Sequence, residues 1–382
     1  MAKILNLLID GNFFCHSIVN AIGGKRKPNE PPFLSRPSQQ NQFISVLSSM
    51  FGGLLEAVRG SHSRVVLCID SRSFRKDIEI EENGGYKSGR IKTDDVDWKM
   101  FYELYDRFAD AVKKMGGTAL RIDTAEADDL ILLSSRLLMD RGESCVIISS
   151  DRDLKQLVRT HRGEYCVQYS TAAEKLYVPH DFEEAPTESL FDFGQSSYDV
   201  VYQFAKKKGV PIERINAQAE ALCKMLTGDS GDDVPPVFAR EEIYKSGAKV
   251  GQQRLVKFNE KNAAIVIDNT RLMGNGSDTL CGMIWEDESM QEILAGMVLR
   301  LGLGTDNKEN RTRVVDKIKR NLRLVWLDKR IIPQSILDNF ELTLLSPAKK
   351  YKENKLDVQA AMGVTTKINF HEPDFDFDSI EL

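Results

Sequence analysis

The chain has 382 residues, of which 42% are hydrophobic and 29% are charged, and its formal net charge is −5. This composition is typical of a globular protein with a sizeable core, built as two domains or as one large domain with an appendage. No apolar run approaches the roughly 18 residues that a membrane span requires. The start, MAKILNLLIDGN, carries acidic and polar residues too early for a secretory signal, so we expect a cytoplasmic protein without a membrane segment.

The six cysteines give no sign of a zinc site, because no two of them have CxxC spacing. Cys68 and Cys145 lie inside apolar, strand-like runs, where a thiol behaves as a small hydrophobic group. We therefore expect reduced thiols in a cytoplasmic protein, in preference to disulfides.

Three continuous apolar segments each end in an aspartate: KILNLLID at Asp10, RVVLCID at Asp70 and CVIISSD at Asp151. Such runs are typical of strands that are buried on both faces. Helix-like stretches accompany them, at residues 41–59, 98–114 and 125–141. The alternation predicts an α/β fold, with a central, mostly parallel sheet and helices on both faces. Because ligand sites lie at the carboxyl ends of parallel strands, the three aspartates should meet at one edge.

The second half of the chain is predicted to be mainly helical. In chain order we expect a short hairpin (166–169 and 175–178), a polar loop (179–197), two helices (198–208 and 213–226) and a helical region (237–345). From residue 346 the chain turns polar, which favours a flexible tail. We accordingly divide it into an α/β domain at 1–235, a C-terminal helical subdomain at 236–345 and an acidic tail at 346–382.

Acidic residues form five groups that could hold metal ions. They are Asp10; Asp70; Glu126, Asp128 and Asp129; Asp151 and Asp153; and Asp229, Asp232 and Asp233. Magnesium prefers hard oxygen ligands, and two ions about 3.5–4 Å apart can activate a water and stabilise a leaving oxygen in phosphodiester hydrolysis. Each acid alone is more simply explained as a helix cap or a turn residue. So many acids converging on one edge would repel one another strongly without a bound cation.

The spacing of the acids refines this prediction. Glu126 and Asp129 are three residues apart at a helix start and share a face. Asp128 points in a neighbouring direction, so Glu126 and Asp128 could bind one ion only if the first turn is irregular. Other chemistry has little support, because the sequence has no GxSxG, HExxH or Walker A motif. The sequence Asp10-Gly11-Asn12 also disfavours a phosphatase with a DxD motif.

The distribution of charge fits a polyanionic substrate. The ten acids above and five more in the last fifteen residues carry fifteen negative charges, so the rest of the chain has a formal charge of +10. A basic body around an acidic centre suits a phosphodiester substrate held through metal ions. The net charge alone is equally compatible with an ordinary acidic protein.

In order, the blocks LLIDGN, VLCIDSRSFRKDIE with GGYKSGRIK, AEADDLI, VIISSDRDLKQL and LTGDSGDDVPPV resemble the 5′-nuclease superfamily. The resemblance is greatest to the phage-type ribonuclease H of T-even phages. A weaker block, KRNLRLVWLD, extends it over roughly residues 1–340. It implies a PIN-like 5′-nuclease fold. It also implies a structure-specific 5′-3′ exonuclease or flap endonuclease that removes RNA primers in DNA replication with two Mg²⁺ ions, which Mn²⁺ could replace.

The resemblance also implies roles for individual residues. Ligands of the first ion would be Asp10, Asp70, Asp128 and Asp151. Ligands of the second ion would be Asp153, Asp229 and Asp232, with Glu126 and Asp129 holding metal-bound waters. Asp151 also has a catalytic role, because it stands where both ion sites would share a ligand.

An arch at about residues 71–97 is implied between the second strand and the next helix. Lys87 and Arg90 would act there on the scissile phosphate, and the other DNA-binding candidates in or near the arch are Arg75, Tyr86 and Lys92. A solvated basic loop is the ordinary explanation of the same residues. Lys245, Lys249 and Arg254, with Lys257, would bind duplex DNA. Many members carry a Gly-rich motif for potassium here, but this chain has Pro235 and Pro236 and no GxGxG, which gives no support for that site.

The implied substrates are flap, nicked or 5′-ended duplex DNA and RNA–DNA hybrids, bound by a monomer in the host cytoplasm if a phage encodes it. The segment 368–382, INFHEPDFDFDSIEL, alternates Phe and Asp. It could dock on a single-strand-binding protein or a sliding clamp, or serve only as a solubilising end. Two other functions stay open: a PIN-type ribonuclease, and a catalytically silent DNA-binding relative.

Overall fold

The computed structural model describes the chain in several stretches. They are residues 3–23, 30–59, 61–80, 84–90, 93–183, 196–244, 246, 250–271, 280–343, 345–350 and 358–362. Within these stretches, no helix has the length and apolar character that crossing a membrane would take. Lys92, Lys245, Lys249 and the predicted docking segment 368–382 lie outside the described residues.

A mostly parallel sheet forms the centre of the protein. The strands in chain order are β1 (Leu5–Asp10), β2 (His62–Ser63), β3 (Val65–Cys68), β4 (Thr118–Leu120), β5 (Ser144–Ile148), β6 (Arg159–His161), β7 (Glu164–Ser170), β8 (Lys175–Pro179), β9 (Ile212–Ile215), β10 (Ala239–Ile243), β11 (Gln253–Lys257) and β12 (Lys349–Lys350). The main sheet has the order β4-β3-β1-β5-β7-β8-β9, and β6 pairs beside β7. The first five strands of this order are parallel, and the predicted hairpin is the antiparallel pair β7–β8.

Helices cover both faces of this sheet. The helices in chain order are α1 (Gly11–Gly23), α2 (Pro37–Ala57), α3 (Trp98–Lys114), α4 (Ala127–Asp140), α5 (Ser197–Lys208), α6 (Ala217–Thr227), α7 (Glu260–Arg271), α8 (Leu280–Glu286), α9 (Glu288–Leu301), α10 (Lys308–Val325), α11 (Gln334–Glu341) and α12 (Val358–Ala361). Alternate residues of β1 face opposite layers: Leu7 packs in the core with α1, α2, α3 and α5, whereas Leu8 packs in the core with α4 and α11. The predicted fold class is therefore confirmed.

A second hydrophobic core joins α6 to the later helices α7, α8, α9 and α10. It also receives Ile78, Ile80 and Tyr86 from the segment after β3. In contrast, α11 packs through Ile336 and Phe340 on the face of the sheet covered by α4. The division at residue 235 stays a prediction. Residues before it pack in one core with the later helices, and α11, which follows it, packs on the sheet.

Two predicted helical segments are wrong in part. Residues 212–215 form β9, parallel to β8, so the helix predicted from residue 213 begins at Ala217. The region after Val237 begins with the antiparallel hairpin β10–β11. Its strands are short and charged, with little apolar alternation, and the turn contains Gly251 at φ +84°. Arg254, expected on a helix, lies on β11 and pairs with Glu242 at 2.7 Å.

Candidate metal centre

Asp10, Asp70 and Asp151 meet at the carboxyl edge of the sheet. Asp10 ends β1, Asp70 follows β3 by two residues, and Asp151 follows β5 by three, and these strands are neighbours. Asp10 is buried, and its carboxylate accepts hydrogen bonds from Ser149 Oγ at 2.9 Å and Phe13 N at 3.0 Å. Burial and the charges of Asp70 and Asp151 nevertheless raise its pKa to about 7. The close approach of the acids therefore favours a bound cation.

Asp128 completes this first acid group. The residue before α4, Glu126, has extended backbone at φ −84° and ψ 162°. This backbone is ordinary for a helix N-cap, and α4 continues regularly from Ala127, so the described helix start does not show the irregular first turn that would let Glu126 and Asp128 bind one ion. Burial and the charges of Asp151 and Asp10 hold the pKa of Asp128 well above its ordinary value. Asp128 thus belongs with Asp10 and Asp151, while Glu126 turns toward the cations described below.

A second acid group consists of Asp153, Asp229 and Asp232. One carboxylate oxygen from each lies within 4.8 Å of the others. Asp229 and Val234 exchange backbone hydrogen bonds of 2.8 Å, which closes the loop after α6. Gly228 permits this turn, because its φ is +74° and an added Cβ would lie 2.3 Å from the carbonyl oxygen of Val234. The turn at Gly228 therefore fixes the position of Asp229.

Asp151 connects the two groups. Its carboxylate accepts a hydrogen bond of 2.8 Å from Asp153 N. Its charge contributes to the raised pKa values of Asp10 and Asp128 on one side and of Asp153 on the other. This position agrees with the predicted role of Asp151 as a ligand shared by both ions.

Lys87 and Arg90 approach these acids from the predicted arch. Lys87 Nζ lies 2.5 Å from Glu126 Oε1 and 3.7 Å from Asp232 Oδ2, and Arg90 pairs with Asp232. Burial opposes the charge on Lys87, but Glu126 and Asp232 outweigh it and raise the pKa of the lysine. Tyr86, which is buried, donates from its hydroxyl to Asp232 Oδ2 at 3.1 Å. The arch thus holds cationic groups directly against the acidic centre.

Arg75 and Asp129 occupy positions different from those expected. Asp129 is fully buried, and both of its oxygens accept hydrogen bonds from Arg75, at 2.8 and 2.9 Å. Arg75 is itself buried and reaches Glu126 at 3.2 Å. Because each satisfies the charge of the other, the guanidinium of Arg75 is buried inside the protein, and both oxygens of Asp129 are engaged by Arg75. The pair instead stabilises the start of α4.

Lys224 is a site residue that the sequence analysis missed. Its ammonium pairs with both Asp153 and Asp229. Lys224 stands five residues before Asp229, at the end of α6. This separation is little more than one helical turn, and it is the sequence feature that could have identified Lys224 as a neighbour of the acids. Its charge lowers the pKa of Asp229, and it opposes the effect of burial, which raises the pKa of Asp153 to about 7.

The donor set fits a divalent cation of the magnesium type. Both groups offer only carboxylate oxygens, the hard ligands that Mg²⁺ and Mn²⁺ prefer over thiols or imidazoles. Asp10 and Asp153 have pKa values of about 7, so both protonated and charged forms are accessible near neutral pH. A bound ion would favour their charged forms.

Fold and site together define a class of α/β proteins that gather carboxylates at the carboxyl edge of a parallel sheet to hold metal ions. Within this class, residues 6–185 match the sequence model of the 5'-3' exonuclease N-terminal resolvase-like domain. Over these residues, just under half of the chain, the protein is similar to the 5′-nuclease superfamily, the resemblance that its motifs predicted.

Two relatives and one solved structure are similar to the chain. Ribonuclease H of enterobacteria phage T4 is 25% identical over 206 residues, which are 52% of this chain and 54% of the relative. DNA polymerase I of Streptococcus pneumoniae is 32% identical over 112 residues, 29% of this chain and 12% of the polymerase. The D15 flap endonuclease of bacteriophage T5, solved with DNA and metal ions, has a TM-score of 0.47 at 15% identity and covers 94% of this chain and 100% of its own. The chain spans about half the length of the phage relative and less of the polymerase.

The raised pKa values lead to a prediction about stability. Asp10 and Asp153 have pKa values of about 7 in the folded protein against an ordinary 3.8. Between about pH 4 and pH 7 the folded state therefore binds more protons than the unfolded state, so stability falls as pH rises through this window. In EDTA, we expect Tm to fall from about pH 5 to about pH 8. Mg²⁺ should remove most of this decrease in Tm, because the bound cation neutralises the carboxylates that have lost their protons.

Thermal unfolding in EDTA and in Mg²⁺ across this pH range is the measurement. Asp106→Asn is a control, since Asp106 is exposed and pairs with Arg121 away from the centre. Stabilisation by Mg²⁺ that is the same at pH 5 and pH 8 would contradict the prediction.

Proposed function

We propose that the protein is a structure-specific 5′ nuclease that hydrolyses phosphodiesters with two metal ions. It would act as a 5′-3′ exonuclease and flap endonuclease and remove RNA primers in DNA replication. The observation that carries this proposal is the group of Asp153, Asp229 and Asp232, whose carboxylate oxygens lie within 4.8 Å of one another close to Lys87 and Arg90. The charge of Asp151 acts on this group and on Asp10 and Asp128. The similarity of residues 6–185 to the 5'-3' exonuclease N-terminal resolvase-like domain supports it.

The acids of the chain would bind and place the ions, with Mg²⁺ as the preferred metal and Mn²⁺ as a substitute. Asp10, Asp70, Asp128 and Asp151 would hold one ion. Asp151 would share its carboxylate with the second group, Asp153, Asp229 and Asp232. When bound, the ions activate the attacking water and neutralise charge on the leaving oxygen.

Lys87 and Arg90 would position the scissile phosphate. In the structure they pair with Glu126 and Asp232, so both cations already lie beside the acids without DNA. A phosphate that enters the centre would exchange these carboxylate partners for its own oxygens. The two cations would then stabilise the negative charge that develops during hydrolysis.

Outside the metal centre, duplex DNA would bind to the helices of the second hydrophobic core and to the hairpin β10–β11. Arg254 and Lys257 on β11 are the described members of the predicted duplex-binding set, and the side chain of Arg254 is partly exposed. Phosphate contacts by such residues would position the duplex without reading its sequence. A clamp or single-strand-binding partner for the segment 368–382, the monomeric state and the host cytoplasm remain parts of this proposal.

A panel of labelled substrates tests the function. The purified chain is incubated with a 5′-flap duplex, a nicked duplex, an RNA–DNA hybrid and single-stranded RNA, each with Mg²⁺, Mn²⁺ or EDTA. We expect cleavage near the 5′ end or flap junction of the DNA-containing substrates, and none in EDTA. Cleavage of single-stranded RNA alone would favour the PIN-type ribonuclease. Binding without cleavage would favour the silent relative.

A further inference from the structure

A cavity of about 630 Å³ lies at the end of the sheet opposite the acids. Its wall includes β6, which pairs with residues 164–166 at the start of β7. Asp151, in contrast, follows the far end of β5, which runs parallel to β7. The end of α4, the end of β8, the start of α6 and the segment after α10 complete the wall. This volume is in the range of sites that hold small organic ligands.

Arg159, the first residue of β6, lines this cavity without a salt bridge among the described residues. Among the described residues its guanidinium has no ion-pair partner, and its Nε is buried without a hydrogen bond. Burial, and then the like charge of Arg136, lowers the pKa of Arg159. An unpaired guanidinium in such a place is destabilising, and an anion would relieve it.

Arg136 of α4 adds a second guanidinium with donors to spare. It donates to Asp328 Oδ2 at 2.8 Å, but its Nε is also buried without a partner. Asp328 accepts a hydrogen bond from Arg330 Nε as well, at 2.9 Å. One carboxylate thus accepts hydrogen bonds from two arginines, and its charge and that of Asp140 only partly offset the effect of burial on Arg159.

The other acids of the wall are engaged with other partners. Asp140 Oδ1 lies 2.9 Å from His161 Nε2, and Asp181 accepts a hydrogen bond from Thr160 Oγ1 at 2.8 Å. The N-terminus of α6, a helix of 11 residues, also borders the cavity, and its positive end favours a negative group. Cationic donors therefore face the cavity from more than one element.

We propose that this cavity binds the phosphate group of a nucleotide-sized metabolite, with Arg159 and Arg136 as its ligands. A planar carboxylate matches the fork of one guanidinium, whereas donors from two directions suit a tetrahedral oxyanion. The cavity is larger than phosphate alone requires, and Leu157, Ile215 and Leu327 offer apolar wall for the remainder of the ligand. The site is independent of the proposed nuclease function, because none of these residues belongs to the metal centre.

Ligand-dependent thermal unfolding of the full chain tests the proposal. The probes are 5′-AMP, inorganic phosphate and adenosine, all in EDTA so that no metal at the acidic centre can bind phosphate. We expect 5′-AMP to raise Tm by roughly 2–4 °C at saturation and phosphate to raise it less, since ligands that bind only the folded state stabilise it. Adenosine, which lacks the oxyanion, should have no effect.

Arg159→Gln should abolish the response to 5′-AMP and phosphate. Without ligand this variant should be about as stable as the parent, because it removes a partly buried charge that has no salt bridge among the described residues, so loss of response would not reflect misfolding. Arg162→Gln is the matched control, since Arg162 lies three residues along the chain with a side chain that is 70% exposed. No shift with either anion in the parent, or an equal shift in Arg159→Gln, would overturn the proposal.

Discussion

Replacing Asp151 with asparagine is expected to abolish nearly all cleavage while the fold and DNA binding persist. Asp151 raises the pKa values of acids in both groups, so its charge acts at both ion sites. Asparagine preserves an oxygen that can accept the hydrogen bond from Asp153 N and removes only the charge. Because both ions would be disturbed, turnover should fall by at least the roughly 10²–10³-fold seen when one charge-stabilising group is removed.

Single-turnover cleavage of a 5′-flap duplex at saturating Mg²⁺ measures this effect, and fluorescence anisotropy in EDTA measures binding. Binding should be equal or tighter, because the variant repels the phosphates less. Asp110→Asn on α3 is the control, since Asp110 is exposed and, among the residues that the structure describes, pairs only with Lys113, at 3.4 Å. Near-normal turnover by Asp151→Asn would remove this residue from the metal centre.

The acids at strand ends could be predicted because two regular features combine in them. Buried parallel strands read as continuous apolar runs, and neighbouring parallel strands place their carboxyl ends together. Helix α3 was predicted at its observed bounds, 98–114, because strong local signals mark its ends. Asp97 caps its first turn through Met100 N, and Gly116 follows its end with φ +76°.

Side-chain pairing across the fold could not be predicted in the same way. Arg75 and Asp129 are 54 positions apart, and no local pattern indicates that each neutralises the other. The same holds for Lys224 and Asp153, which are 71 positions apart. A basic residue near an acidic motif was interpreted as a DNA contact, whereas burial converted Arg75 into an internal counter-ion.

The hairpin β10–β11 was missed for a different physical reason. Its strands are at the surface, and Ile243 and Leu255 are 58% exposed, so no buried face imposes an alternating pattern. Hydrophobic periodicity reports burial, and a strand pair that is not buried leaves little of it in the sequence. The cavity beside Arg159 could not be predicted from the sequence either, because its wall is formed by elements that are far apart along the chain.

Replacing Lys87 with alanine is expected to lower single-turnover cleavage by about 10²–10³-fold, as for other groups that stabilise developing charge. A backbone hydrogen bond of 2.9 Å from Lys87 N to the carbonyl oxygen of Asp232 fixes the residue over the centre. Its ammonium then contacts Glu126 at 2.5 Å. Tm should change little, because Glu126 retains Arg75 at 3.2 Å as a partner.

A titration with Mg²⁺ distinguishes two possible roles of Lys87: contact with the scissile phosphate, and neutralisation of the charge of the acidic groups. Without the Lys87 ammonium the acids attract cations more strongly, so the Mg²⁺ concentration for half-maximal rate should be unchanged or lower. The maximal rate should nevertheless stay low, because Mg²⁺ cannot supply the missing contact with the scissile phosphate. Lys76→Ala, which alters an exposed lysine of the same arch, should cleave like the parent. If excess Mg²⁺ restored the full rate to Lys87→Ala, the lysine would be a charge-balancing residue with no part in hydrolysis.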